Sequence, residues 1–435
     1  MSDEADAARL TEALVSARSG IVTGLMPQTR SPDEPAPPHL WNATLAHFSF
    51  QQTPIGVRIT GGKGRSEAEA KLSALGEAIE RYASFQWDAQ QVRVGLAGEN
   101  AITPADCVLY SKAQYAKGMP FAQWTPETPT SWVTGTELPS GALIEMPASQ
   151  VYALGPPPRM EDFFTSAASN GLAAGKDLDH AILGGVHEVI EREAFMLTWL
   201  NRLAARKIKV PETGCNAIAT VRHYNKFGVS VRLFWLHSDQ APYVIMAIAE
   251  DPSEGGIFRV IGLGADLDPV VAVDKAVSEL CQLRAGMPIR MQMGDYQTRL
   301  QSYDAVRSLD DHPLFHAIPA NSHEFDFLDD GASPVDLHDL PRPAQTDVQA
   351  TMAQVVQKAT DTGGRVGYAD ITPPDIAALG PRVVRVIISG FQPITFGYGQ
   401  GRLGGPRLYQ APVDWGLRDT PLDETGLNPC PHPLA

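Results

Sequence analysis

The sequence predicts an α+β fold in which mixed β-sheets are backed by helices and some elements are duplicated. Three observations carry this. A helix-period segment ending Glu77-Ala78-Ile79-Glu80-Arg81 has a counterpart in Glu188-Val189-Ile190-Glu191-Arg192, and both read Glu-x-x-Glu-Arg. Each copy follows a glycine-rich lead-in. Strand-like runs alternate with the helices and pair in an antiparallel-looking way, which disfavours a doubly wound parallel sheet.

The elements follow in order. Ala5 to Ala17 reads as a helix, and Ser31-Pro32-Asp33-Glu34-Pro35-Ala36-Pro37-Pro38 as a linker. Residues 1–45 are therefore expected to be an N-terminal extension, and 46–435 one catalytic domain. Gly56-Val57-Arg58-Ile59 reads as a strand running into Thr60-Gly61-Gly62-Lys63-Gly64-Arg65-Ser66. In the helix that follows, Leu72, Leu75, Ile79 and Tyr82 form one apolar stripe. Glu77 and Glu80 fall on the opposite side, with Ser73 between them. The second lead-in is Ser169-Asn170-Gly171-Leu172-Ala173-Ala174-Gly175-Lys176. Its helix turns Ile182, Leu183, Val186, Val189 and Ile190 inward and Glu188 and Glu191 outward.

Two strands are expected at Val229–Phe234 and Tyr243–Ile248. A third copy of the plan begins at Gly262-Leu263-Gly264-Ala265-Asp266, and Pro269 suits a first helical turn. Ala272, Ala276, Leu280 and Leu283 make the stripe; Lys275, Glu279 and Gln282 share the other side, and Arg284 follows. Asp326 to Asp347 reads as an acidic surface loop, and Arg382 to Ile388 as a last strand. The chain ends Asn428-Pro429-Cys430-Pro431-His432-Pro433-Leu434-Ala435, whose alternating prolines favour an extended polyproline II segment. Such an end is expected to bury little apolar surface, with His432 solvated.

Carboxylates at i,i+3 share a helix face and can hold one divalent cation together. One pair is equally well an ordinary solvated face. Two pairs with the same spacing favour a site crowded with negative charge, which a Mg2+–nucleotide complex would neutralise. Glycines let the backbone approach a ligand, and a helix start favours anions. Neither lead-in is a P-loop, because the Gly-Lys-Ser/Thr ending is missing.

Composition sets bounds. The chain has 435 residues, 43% hydrophobic, enough for a substantial core. A net charge of −15 argues against nonspecific nucleic-acid binding. Cys107, Cys215, Cys281 and Cys430 form no Cys-x-x-Cys pair, so neither a zinc site nor a disulfide framework is suggested. No apolar run reaches membrane-spanning length and no signal segment precedes the domain. A soluble cytoplasmic protein without membrane partners is expected.

These motifs resemble those of the YcaO family, ATP-dependent enzymes that modify peptide backbone amides. The resemblance rests on Ser73-x-x-x-Glu77-x-x-Glu80-Arg81, on Ser169-Asn170-Gly171 through Glu188-x-x-Glu191-Arg192, and on Glu279-x-x-Gln282-x-Arg284. It implies the YcaO fold, with ATP and Mg2+ as cofactors. Glu77, Glu80, Glu188, Glu191 and Glu279 are the implied Mg2+ ligands. Lys63, Ser73, Arg81, Lys176, Arg192 and Gln282 are expected at ATP, with Arg402 and Arg407 as further phosphate candidates. The chain departs from the family at Lys176 and His180, where many members carry Asn and Glu. It departs again at Glu193, where Asp is usual.

The Pro-x-Pro-x-Pro ending resembles that of azoline-forming members, in which it directs the C-terminus to the active site. Pro429, Pro431, Pro433 and the Ala435 carboxylate are accordingly expected to act there as base or organiser. The implied reaction is cyclodehydration of Cys, Ser or Thr in a ribosomally made precursor peptide, through phosphorylation of the amide oxygen. A separate E1-like leader-peptide-binding protein is expected as partner, because the N-terminal extension is too short to be one. A flavin-dependent azoline dehydrogenase and a homodimer are further expectations. Thioamidation, macroamidine formation and a noncatalytic adaptor role are the alternatives.

Overall fold

The computed structural model describes residues 2–47, 58–87, 89–152, 159–166, 168–210, 212–239, 243–253, 255–292, 294–329, 331–343 and 347–434. Gly56 and Val57 of the expected Gly56–Ile59 strand, and Ala435, lie outside them, while Ile59 opens a strand. In chain order the main elements begin with α1 (Asp3–Leu14), β1 (Val22–Pro27), β2 (His39–Leu45), β3 (Ile59–Gly64) and α2 (Glu67–Ser84). Then come β4 (Val92–Gly95), β5 (Thr130–Leu138), β6 (Leu143–Pro147), β7 (Leu172–Gly175) and α3 (Leu178–Asn201). The second half holds β8 (Arg206–Lys209), β9 (Ser230–Leu236), β10 (Tyr243–Glu250), β11 (Arg259–Asp266) and α4 (Pro269–Gln292). It closes with α5 (Asp311–His316), β12 (Val335–Asp336), α6 (Val348–Asp361), β13 (Val366–Asp370), β14 (Arg382–Ile388) and α7 (Arg407–Asp414).

Among the described residues the strands make three sheets, ordered β1-β2-β3, β11-β10-β9-β8-β12 and β4-β5-β13-β14-β7, with β6 added beside β5. Pairing is antiparallel except between β8 and β12. The topology follows one plan three times. Each sheet ends in a strand that feeds directly into a long helix: β3 into α2, β7 into α3, β11 into α4. The helices start where the sequence supplies caps. Ser66 accepts from the Glu69 N–H and Asp177 from the His180 N–H, each filling a donor that the first turn leaves open.

Residues 1–45, expected as an extension and linker, supply α1 and two strands of the first sheet. β2 pairs with β3 from His39↔Gly64 to Thr44↔Ile59. The Pro-rich segment is tied down as well. Arg284, which is almost fully buried, bonds Asp33 at 2.6 Å, Asp251 at 3.1 Å and also Glu34, and Tyr224 donates to Glu34 at 2.7 Å. The expected acidic loop carries the short β12, paired to β8. No helix among the described residues is long and apolar enough to cross a membrane.

Candidate active site

An edge strand leaves alternate backbone N–H groups without a neighbour. In β3 and β11, and at the residue just before β7, a carboxylate from the following helix takes one such N–H. Gly61 N–H donates to Glu77 at 3.0 Å, Gly171 N–H to Glu188 at 3.2 Å, and Leu263 N–H to Glu279 at 2.5 Å. The fourth bond crosses between units: Ala174 N–H, on β7, donates to Glu80, on α2, at 2.7 Å. α4 also closes onto β3, since a Cβ at Gly61 would meet Nε2 of Gln282 at 2.1 Å. The three strand–helix units thus converge, and the side of each helix opposite its apolar stripe faces its neighbours rather than water.

Arg192 stands among the carboxylates, 3.4 Å from Glu191, 3.6 Å from Glu279 and 3.9 Å from Glu188. Burial works against its charge, but the three acids outweigh burial and raise its pKa. The acids remain in excess. Burial, reinforced by Glu77 and Glu188, pushes Glu80 well above the carboxylate range although Ala174 donates to it. Burial also raises Glu188, with Arg192 and Arg385 opposing. Glu191 is pushed up to about 7 by burial and by Glu279 and Glu188, against Arg192 and Lys63. Buried carboxylates raised in this way single out a candidate functional site, and a bound cation would relieve their burial.

The other expected residues divide. Lys63 is half-buried on β3 within reach of the Glu191 charge. Ser73 lies on α2 one turn before Glu77, and Arg81 bonds Glu77 at 2.5 Å and the Ile59 carbonyl at 3.0 Å. Lys176 is exposed beside Asp177, whose carboxylate meets the His180 ring at 2.7 Å. Arg402 is buried and donates to the Cys107 and Ser166 carbonyls at 3.2 and 2.9 Å. Arg407 pairs with Glu193 and Asp239, each at 2.6 Å. Neither arginine makes an ion pair with the five glutamates among the described residues.

The C-terminal segment departs from expectation. Pro429 is exposed, but Pro431, His432, Pro433 and Leu434 are buried. Its carbonyls are held one after another: Trp199 Nε1–H donates to Cys430 at 2.8 Å, His316 Nε2–H to Pro431 at 2.7 Å, and His312 Nδ1–H to His432 at 2.7 Å. His432 donates through Nε2 to the Thr395 carbonyl at 2.8 Å and stacks on His312 with ring centroids 4.2 Å apart. Expecting a solvated His432 was wrong because the partners lie more than 30 residues away in sequence. Arg192, Phe195 and Trp199 stand at i, i+3 and i+7 on one face of α3, so the segment runs along the helix that carries the central arginine.

A family model described as YcaO cyclodehydratase, ATP- and Mg2+-binding, matches residues 61–392. The chain belongs to the YcaO family. A heterocyclase solved in complex with substrate and cofactor superposes with a TM-score of 0.81 at 24% identity, covering 100% of this chain and 57% of that one. The chain thus spans little more than half the length of that heterocyclase. The YcaO protein of Methanopyrus kandleri bound with AMPPCP and Mg2+ gives a TM-score of 0.63 at 21% identity, over 85% of this chain and 86% of that one. An uncharacterised protein of Methanothermobacter thermautotrophicus is 26% identical over 351 residues, 77% of this chain and 82% of its own.

ATP and Mg2+ are the cofactors of the YcaO family, and the residues fit them. Mg2+ prefers hard oxygen ligands and neutralises charge, and the site offers an excess of buried carboxylate oxygens. Among the described residues no three metal-ligating groups converge on one point. The carboxylates are held apart instead by the strand N–H groups and Arg192. Two features escaped the sequence reading. Arg385, on β14, favours the charged form of Glu188, and no motif announced it. His312 and His316 hold the tail, and their i,i+4 spacing on one helix face was the available signal.

Proposed function

We propose that this chain is an ATP- and Mg2+-dependent peptide cyclodehydratase of the azoline-forming kind, acting in the cytoplasm on Cys, Ser or Thr residues of a ribosomally made precursor peptide. The observation that carries this reading is the course of the tail. Its proline-alternating end is bonded carbonyl by carbonyl beside the helix that carries Glu188, Glu191 and Arg192. When bound, Mg2+–ATP supplies the phosphoryl group that makes the amide oxygen a leaving group. The chain's own residues position and neutralise. Glu77, Glu80, Glu188, Glu191 and Glu279 take the Mg2+ role, and Lys63, Arg81, Arg192, Ser73 and Gln282 the nucleotide. Pro431 and Pro433 fix the direction of the C-terminal carboxylate, which organises the reacting amide or takes its proton.

A separate E1-like protein delivers the leader of the peptide, a flavin-dependent dehydrogenase oxidises the rings where azoles are the product, and the chain works as a homodimer. The test incubates the chain with Mg2+–ATP and a Cys/Ser/Thr-rich candidate precursor, with and without such a partner, and follows mass. Loss of one water per ring, coupled to ATP consumption and strongly enhanced by the partner, is expected. Exchange of oxygen for sulfur would assign thioamidation instead. Absence of Mg2+-dependent ATP affinity would make the chain an adaptor.

A further inference from the structure

Between β14, the residues before β7 and Val189 on α3 lies a cavity of about 40 Å3 lined by Asn170, Val189, Arg385, Gln392, Arg402 and Cys107 among others. That is room for roughly three waters. Four of its polar residues are more than nine-tenths buried: Arg402 and Gln392 at 2% exposure, Arg385 at 5% and Asn170 at 8%. Each has polar atoms without a partner among the described residues. They are Nε and Nη1 of Arg385, Nε of Arg402, Oδ1 of Asn170 and Oε1 of Gln392. The remaining bonds of the two arginines run to neutral groups. Arg385 donates to the Ala168 carbonyl at 3.0 Å, and Arg402 to the Cys107 and Ser166 carbonyls and, at 3.5 Å, to Gln150.

Two guanidinium ions side by side in a buried wall carry a cost that neutral acceptors do not remove. Waters would satisfy their N–H groups but leave the charge uncompensated. Among the described residues the acceptors of both arginines are carbonyls and an amide, with no carboxylate among them. Glu188 reaches Arg385 only through its field, and burial still pushes Arg385 down to about 10. Guanidinium forks suit tetrahedral oxyanions, and side-chain amides complete such a cradle with an N–H or with an acceptor for a protonated oxygen.

We propose that this cavity is an oxyanion site that takes a phosphate-sized anion through Arg385 and Arg402, with Asn170 and Gln392 at its rim. The site stands on its own residues and does not depend on azoline chemistry. The probe is inorganic phosphate, titrated into the full chain without Mg2+ and followed by calorimetry and by melting temperature. Wild type is expected to show saturable one-to-one binding and a rise in melting temperature. Asn170→Asp places an isosteric carboxylate in the cavity. It should raise the melting temperature without phosphate and weaken phosphate binding at least tenfold. Arg385→Met should weaken binding similarly. A wild type without saturable binding, an Asn170→Asp protein that binds phosphate as wild type does, or one that melts lower than wild type would each overturn the assignment.

Discussion

Glu191 sits where burial and two neighbouring acids oppose its ionisation, and Arg192 and Lys63 offset them only in part. Its consequence for pH follows from linkage. An unfolded carboxyl titrates near 4.5, whereas this one titrates at about 7 in the fold. Its contribution to stability is therefore complete below the lower value and is lost as pH rises through the higher one. Glu193, also pushed up to about 7 by burial although Arg407 bonds it, acts in the same sense. In the absence of Mg2+, melting temperature should fall between pH 5 and 7.5, and Glu191→Gln should make that fall shallower. Mg2+ requires the ionised carboxylate, so Mg2+–ATP affinity should weaken as pH drops below about 7. Glu191→Gln and Glu80→Gln should each remain folded and lower ATP turnover by ~100-fold or more, the scale of a lost electrostatic contact in a closed site. Near wild-type turnover in either variant would remove that residue from the Mg2+ assignment.

The strand–helix units hold together because glycine lets β3 and β11 lie directly on their helices. A Cβ at Gly62 would stand 2.2 Å from the Ala70 carbonyl oxygen and the Ala74 nitrogen; at Gly262 it would stand 2.3 Å from the Ala276 oxygen and the Leu280 nitrogen. Backbone cannot yield as a flexible side chain can. Gly62→Ala and Gly262→Ala should therefore cost about 1–3 kcal/mol or more by overpacking. Gly76, inside α2 with nothing within 4 Å of a new Cβ, is the control. Gly76→Ala should gain about 0.5–1 kcal/mol through helix propensity. Denaturant melts of the three variants check both signs. Much of this was legible in the sequence. The three helices carry clear 3.6-residue stripes, the repeated Glu-x-x-Glu-Arg marked them as related, and Arg382–Ile388 is a strand over the expected residues. β1, β2 and β7 escaped notice because their runs are short or mix polar residues and glycine among the apolar ones. The glutamates read as an outer face because a single helix shows only its own stripe. That a second and third unit cover the other side is a property of the assembled sheets. Arg402 illustrates the same limit, since its partner Cys107 lies 295 residues away.

The same tail residues stabilise the fold and run beside α3, the helix that carries Arg192. Cys430 and Leu434 belong to the main apolar core, and α3, α5 and the Thr395 loop all bond the segment between them. Burial pushes His312 down to about 4 and His316 to about 3, so both rings are neutral donors to the tail at ordinary pH. Deleting residues 431–435 should then lower the melting temperature by several degrees, where loss of a frayed polyproline end would leave it nearly unchanged. Leu434→Ala isolates the packing part. Removing a buried leucine side chain costs about 2–5 kcal/mol, yet it keeps every backbone group of the segment. Turnover separates the two roles, measured well below the melting temperature of each variant and with the leader-binding partner present. Leu434→Ala should cyclise at a rate within a few-fold of wild type. The truncated chain should still bind Mg2+–ATP, because the glutamate helices are intact, but lose cyclisation by orders of magnitude, since a positioned group at the reacting amide is worth several kcal/mol through orientation. A truncated, folded chain that makes azolines at the full rate would leave the tail as a packing element alone. The azoline reading would lose the observation that distinguishes it from thioamidation.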